Sequence, residues 1–293
     1  MSVDSAVQAP VTAAAEPVDT RTASLRAVYI IWYRDLLRYW RDRWRLAASL
    51  AQPLLFLIVF GSGLSSALGR GAVFGARGGF SYIQFMYPGI IGMAILFTAI
   101  FGAMSIVWDR EFGFLKEVLV APIDRWAVAV GKALGGTTQA MIQGLILLIL
   151  APFVGVKLSA LTILELIPLA AVLAFGLSSF GVMLASMMRS LQGFQVVMNF
   201  LMMPMFFLSG ALFPLQGLPG WMTVLTRIDP ASYGIDPLRR VVLSGSGRPA
   251  AVIDQFALTI GGHVVPITLE VGIMLAFGLV MLGYAVAMFE RRD

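Results

Sequence analysis

Few residue types in this chain can do chemistry. There is no cysteine and a single histidine, His263, so thiolate metal sites, disulfides and histidine-cluster metal sites are excluded. The stretch "VGKALGG", Val130–Gly136, carries the Gly-Lys pair of a phosphate-binding loop. Ala133 stands where that loop needs Ser or Thr to hold magnesium, and Trp126 stands where its leading glycine belongs, so a phosphate cradle cannot form. An enzyme within the membrane would need converging acids, bases or nucleophiles. The candidates at membrane depth are Gln52, Gln139, Gln143, Gln195 and Asn199 with a few Ser and Thr, which supply none. Glu165 and Glu270 are expected as water-solvated caps at outer helix ends, and His263 as incidental in an outer loop. The remaining concentration of polar chemistry is "WDREFGFLKEVLVAP", Trp108 to Pro122, where Asp109, Arg110, Glu111, Lys116 and Glu117 interrupt two very apolar regions.

The apolar regions set the architecture that must position this island. Hydrophobic residues make up 59% of the 293 and charged residues only 13%, against about 25% charged in soluble domains. No Asp, Glu, Lys or Arg occurs between Arg45 and Arg70, Arg77 and Asp109, Lys132 and Lys157, Glu165 and Arg189, Arg189 and Arg227, or Glu270 and Glu290. A helix crosses a bilayer with about 20 apolar residues, so each gap holds one span. The longest ends in the turn-forming "FPLQGLPGW" and holds one rather than two. The spacing predicts six spans near 46–66, 86–108, 127–156, 162–188, 192–213 and 267–289. Residues 1–22, rich in Ala, Pro, Val and Thr, read as a disordered tail rather than a signal peptide.

With both termini cytoplasmic, 14 of the 21 basic residues fall on the cytoplasmic side and four of the other seven lie in one long outer loop. The positive-inside rule therefore places both ends and the charged island in the cytoplasm, and the net charge of +5 marks orientation rather than nucleic-acid binding. Residues 23–45 are too charged to span. Leu25, Val28, Tyr29, Trp32, Leu36 and Trp40 form one apolar stripe, and Arg34, Arg38, Arg41 and Arg45 a basic one, the pattern of a helix lying in the membrane interface against anionic headgroups. From Asp109 to Val120 a short amphipathic helix is expected, with Phe112, Leu115 and Leu119 on one side and Pro122 ending it.

In these residues the sequence resembles a known family. "DREFGFLKEVLVAPIDRW…GK" is similar to the cytoplasmic signature of type-2 ABC exporter permeases, including the daunorubicin-resistance and nodulation-factor exporter groups. "PMFFLSGALFPLQGLPGWMTVLTRIDPASYGIDPLRR", Pro204 to Arg240, resembles the same family's segment of a Ser-Gly span end, two proline turns, an Asx-Pro and a terminal Leu-Arg. One departure is Asp229, where asparagine is common. The resemblance covers residues 24–290. It implies that the linker between spans two and three is a coupling helix seated in a groove of a cytoplasmic ATP-binding subunit. It also implies that two permease chains, identical or similar, pair with two such subunits. The expected joint is Glu111, Phe112, Gly113, Leu115, Lys116 and Glu117. ATP and magnesium are then expected on the partner subunit and no cofactor in this chain.

The other expectations concern packing and cargo. Gly131-x-x-x-Gly135 and Gly136-x-x-x-Ala140 predict close helix packing within the chain along the third span. Gln195, Met198, Asn199 and Met202 are expected to give the fifth span an adaptable, partly polar side suited to a substrate pathway. Phe213, Pro214, Pro219 and Trp221 mark a broken apolar segment, tolerated at membrane depth only under protein cover, and predict a helical hairpin re-entering at the outer face as a lid. The fold class is thus an all-α polytopic membrane protein: six transmembrane helices over 46–293, an interfacial helix over 23–45, a cytoplasmic coupling helix and an outer re-entrant hairpin. The expected function is the permease of an ATP-driven exporter in a bacterial inner membrane, moving an amphipathic drug, antibiotic or lipid-like compound, and not an enzyme. Export of a polysaccharide or glycolipid is the alternative, and a non-transporting scaffold or sensor that binds an ATPase is a second.

Overall fold

The computed structural model describes residues 20–67, 82–112, 124–156, 158–245 and 249–291. Helices α1 (Thr20–Arg41) and α2 (Arg43–Ala67) meet at Asp42, with a bend of 70° between them. The helix expected to lie in the interface thus ends before the expected boundary at 45, and α2 covers the residues expected to form the first span. The second span is two consecutive pieces, α3 (Tyr82–Gly102) and α4 (Met104–Glu111), broken only at Ala103. Asp109, Arg110 and Glu111 belong to this span's end rather than starting the coupling helix, and most of that expected helix, 113–120, lies outside the described residues.

The third span, α5 (Arg125–Leu150), tightens into a 3-10 turn over Ala151–Val154. There the Ala151 N–H turns to the Leu148 carbonyl, and the buried Tyr87 hydroxyl donates to the Leu147 carbonyl, which keeps polar backbone paired where lipid offers no partner. The fourth span is α6 (Ala160–Met187) and the fifth α7 (Leu191–Leu208). α7 stops short of the expected Phe213 because Gly210, at φ 75°, takes the left-handed conformation that ends helices. Between the fifth and last spans follow two helices, α8 (Gly220–Ile228) and α9 (Pro230–Ser244), and the Phe213–Pro219 stretch expected to belong to a hairpin is non-helical. A short α10 (Ala250–Ile253) then leads to a two-stranded hairpin, β1 (Thr259–Ile260) with β2 (His263–Val264). Gly261 and Gly262, at φ 61° and 84°, supply the two left-handed residues that such a two-residue turn demands. The last span is α11 (Ile267–Arg291).

Among the described residues five helices are long and apolar enough to cross a membrane, and the bent α1–α2 pair makes a sixth candidate. The chain is an all-α polytopic membrane protein. Its centre is α3, whose residues from Phe85 to Leu96 are almost all buried. Around it pack α2, α5, α6 and α9, with α11 against α6 on the far side. Glycines set the closest approaches: a Cβ on Gly92 would lie 2.4 Å from Ile235 of α9, and one on Gly89 would lie 2.3 Å from the Ala211 carbonyl. Leu55 and Ile58 of α2, Phe200 of α7 and Val280 of α11 point outward, where hydrocarbon rather than water receives them.

Candidate coupling site

Both ends of the linker 113–123 are fastened into the helices, by residues of which sequence reasoning had singled out only some. At its near end, Glu111 Oε2 accepts from the Leu191 backbone N–H at 3.0 Å, holding the first turn of α7. Such a carboxylate suits a helix N-terminus. Arg110 Nη1 donates to the Ser186 and Met188 carbonyls at 3.1 and 2.6 Å, capping the turn between α6 and α7. Phe112 lies 71% exposed beside Trp108, their ring centroids 5.5 Å apart, an apolar pair turned outward at the linker's start. At the far end, Ser24 of α1 is fully buried; its hydroxyl donates to Asp124 Oδ2 at 2.8 Å and accepts the Asp124 N–H at 3.0 Å. Arg125 Nη1 donates to the Phe289 and Glu290 carbonyls at the end of α11, a cation at a helix C-terminus.

Between these ends sits a buried ion cluster. Lys132 Nζ lies 2.9 Å from Asp109 Oδ2, 3.1 Å from Asp35 Oδ2 and 2.9 Å from Ser105 Oγ. Arg34 Nη2 reaches Asp109 Oδ2 at 3.0 Å, and Arg38 approaches Asp109 Oδ1 at 4.0 Å. Lys132, Asp35 and Asp109 are each about 95% buried. Two carboxylates against Lys132 and Arg34 balance in charge, the condition under which buried ions are tolerated. The cluster joins α1 to the end of α4 and the start of α5, so it ties both sides of the linker to α1.

α1 is seated on the bundle, chiefly against α5. The face packed on α5 carries Ser24, Ala27, Ile31, Asp35 and Tyr39, whereas Leu25, Tyr29 and Trp40 of the expected apolar stripe are exposed. Trp32 Nε1 donates to Thr138 Oγ1 of α5 at 2.9 Å. The glycine stripe makes this seat: Cβ atoms on Gly131 and Gly135 would meet Ile31 at 3.0 Å and Asp35 at 3.4 Å, while one on Gly136 would strike Ser178 of α6. Gln139 Nε2 donates to the Asp35 carbonyl, and Gln143 Oε1 accepts from Tyr39 and Ser49 hydroxyls. Gln139 and Gln143 therefore serve the α1–α5 seam, Gln143 also reaching Ser49 of α2. Arg41 is exposed, without an ion pair or hydrogen bond among the described residues.

Gly113, Leu115, Lys116 and Glu117 lie outside the described residues. The four expected pathway residues do not share a face: Met198 and Met202 are buried in the core, while Gln195 and Asn199 face outward with Phe200. Of the outer residues, Phe213 and Pro214 are half-buried, Pro219 precedes α8, and Trp221 is 67% exposed. Beneath them α9 is held by Asp229, whose Oδ1 accepts the Ala231 N–H at 3.0 Å, and by Arg239, fully buried, 4.3 Å over the Phe85 ring and donating to the Gly210 carbonyl. Asp236 Oδ2 accepts the Leu258 N–H at 3.1 Å; burial pushes its carboxyl above the ordinary range, with Arg239 opposing. Glu270 is fully buried, 3.9 Å from Arg240, and is not the solvated cap expected, because the α9–α11 contact closes over it. Glu165 is exposed, consistent with the cap expected, and His263 lies exposed at the start of β2.

The sequence signal for the missed cluster was present: Lys132 is an ionisable residue inside a span, which calls for a named partner, and Asp35 is a lone acid in a stripe of arginines. Comparison with known proteins follows the same lines. The family model described as ABC-2 type transporter matches residues 26–243. A putative transport permease ycf38 of Cyanophora paradoxa is 28% identical over 221 residues, 73% of each chain. Nodulation protein J of Rhizobium meliloti (strain 1021) is 23% identical over 265 residues, 89% of this chain and 92% of that one. The inner membrane transport permease YadH of Escherichia coli (strain K12) is 25% identical over 219 residues, 73% and 81% of the two chains.

Proposed function

The chain belongs to the ABC-2 type transporter family, a membrane subunit of a transporter, and from that premise we propose that it is the permease half of an ATP-driven exporter. In this reading a separate cytoplasmic subunit binds ATP and magnesium and grips the 113–123 linker. Two permease chains, identical or similar, enclose the pathway in a bacterial inner membrane, both termini cytoplasmic. The cargo is an amphipathic compound of drug, antibiotic or lipid type, leaving the cytoplasm or the inner leaflet.

The observation that carries the proposal is the anchoring of the linker's roots. Glu111 and Arg110 on one side, and Asp124, Arg125 and Lys132 on the other, connect the linker to α1, α6, α7 and α11. A pull on the linker thus acts on most of the bundle at once, and packed cores respond to such a displacement by switching rather than by bending. The exposed Trp108–Phe112 pair supplies apolar surface for the partner to hold.

The test is flux into inside-out vesicles holding the chain with its ATP-binding subunit, using fluorescent amphipathic cargos. Flux is expected to require ATP and to be abolished by Gly113→Trp with Leu115→Glu, the permease still inserted. Nucleotide-independent flux, or full transport by that variant, overturns the reading. Vesicles that hydrolyse ATP yet move only glycolipid would shift the cargo to that class.

A further inference from the structure

The bend between α1 and α2 carries two recesses that the coupling argument leaves unused. One is a cavity of about 300 Å³ between the end of α1, the start of α2 and the cytoplasmic half of the second span. Its wall is mostly apolar, including Pro53, Met93, Phe97 and Phe101, with Gln52 and Thr98 as polar points. The volume is at the lower end of small-molecule sites. The other is a depression of about 550 Å³ walled by Arg34, Leu37, Arg38, Arg41 and Asp42, three arginines against one acid. Arg34 is committed to Asp109 at 3.0 Å. Arg38 is half-exposed with only a 4.0 Å approach to Asp109, and Arg41 is unpaired among the described residues.

The two recesses flank the same last turn of α1. Tyr39 lines the apolar cavity while Arg38 and Arg41, its near neighbours in sequence, line the basic one. One helical turn rises only about 5.4 Å, the scale on which a lipid passes from headgroup to acyl chain. Positive charge and an apolar slot at this separation, at the cytoplasmic surface of a bilayer, match a single kind of occupant. We propose that this elbow is a binding site for one anionic phospholipid of the inner leaflet, its phosphate held by Arg38 and Arg41 and an acyl chain lodged against Phe97 and Phe101. Such a lipid would wedge the 70° bend and hold α1 at the angle that keeps Asp35 on Lys132 and Arg34 on Asp109. The assignment concerns lipid binding and stands whether or not the chain exports the cargo proposed above.

The experiment uses the full chain in nanodiscs with equal phosphatidylcholine and phosphatidylglycerol of the same acyl chains, followed by detergent stripping and mass spectrometry of retained lipid. Phosphatidylglycerol should stay bound at one per chain while phosphatidylcholine is lost. An arginine near anionic lipid contributes roughly fivefold in affinity, so Arg38→Gln with Arg41→Gln should lower retention about 25-fold at unchanged helicity. Ala48→Trp, filling the cavity from an exposed position, should lower retention with both arginines intact. Saturating glycerol phosphate should not displace the lipid. Equal retention of both lipids, retention unmoved by the arginine pair, or full displacement by glycerol phosphate with Ala48→Trp silent overturns the proposal.

Discussion

Lys132 stands between two carboxylates that approach it at 2.9 and 3.1 Å, with water excluded from all three. Removing a partner from such a cluster leaves an uncompensated buried charge, a loss of about 3–5 kcal/mol. Lys132→Met should therefore lower the unfolding midpoint in detergent markedly. Adding Asp35→Asn to it restores charge balance, with Asp109 left to Arg34, so the double variant should be more stable than the sum of its parts by about 1–3 kcal/mol. Strict additivity in tryptophan-monitored unfolding would dissolve the cluster as a unit. Asp229 makes a separate, pH-dependent case. Burial pushes its carboxyl up to about 8, with the hydrogen bond from Ala231 opposing. A folded value above the ordinary 3.8 means the folded protein holds this proton more tightly than the unfolded chain. The contribution is complete below the unfolded value and is lost as pH rises through the folded one. Asp229→Asn keeps an oxygen for the Ala231 N–H without the charge. Its unfolding midpoint should exceed that of the parent at pH 9, the difference shrinking toward pH 4.

At the scale of elements, the gaps between charges located the five helices long and apolar enough to cross a membrane, with the bent α1–α2 pair as a sixth candidate, and helix ends agreed within a few residues except where a local device intervened. Gly210 ended α7 early through a backbone conformation that hydropathy does not encode. The seating of α1 was harder to read for a different reason. Period alone cannot say which apolar stripe of a helix meets protein and which meets lipid, because both are apolar; small residues and a buried acid mark the protein side, and here they are Ser24, Ala27 and Asp35. For the same reason the methionines and amides of α7 fell together in sequence but on different faces in space. The glycine stripe, by contrast, was legible as close packing, and the structure names its occupant. Gly131→Leu should lift α1 from α5, since even a Cβ there meets Ile31 at 3.0 Å. The chain has no cysteine, so Ile31→Cys is a clean probe. It should resist maleimide in the parent background and label readily beside Gly131→Leu. Equal labelling in both would mean that the seam does not depend on the glycine.

Over the whole molecule the asymmetry of burial is informative. The second span is two-thirds buried within its own chain, while the fifth and sixth are mostly uncovered, so rearrangement costs least at the periphery and most at α3. The linker roots connect this stiff centre to the movable rim: α4 continues the second span, and Glu111, Arg110 and Arg125 reach α7, the α6–α7 turn and α11. In the proposed reading, a partner that displaces the linker works against α3 as a fixed post while turning the less covered α7 and α11 around it. The surface by which it would do so begins at Phe112, the exposed last residue before the linker. In the cysteine-free background, Phe112→Cys should react with a membrane-impermeant maleimide in inside-out vesicles and not in right-side-out cells. Addition of the ATP-binding subunit should slow that reaction, and Trp108→Ser should weaken the protection by removing the one aromatic ring that Phe112→Cys leaves at this spot. Labelling only from outside would invert the topology and remove the coupling argument with it. Labelling from inside that the subunit leaves unchanged would keep the topology and move the grip elsewhere.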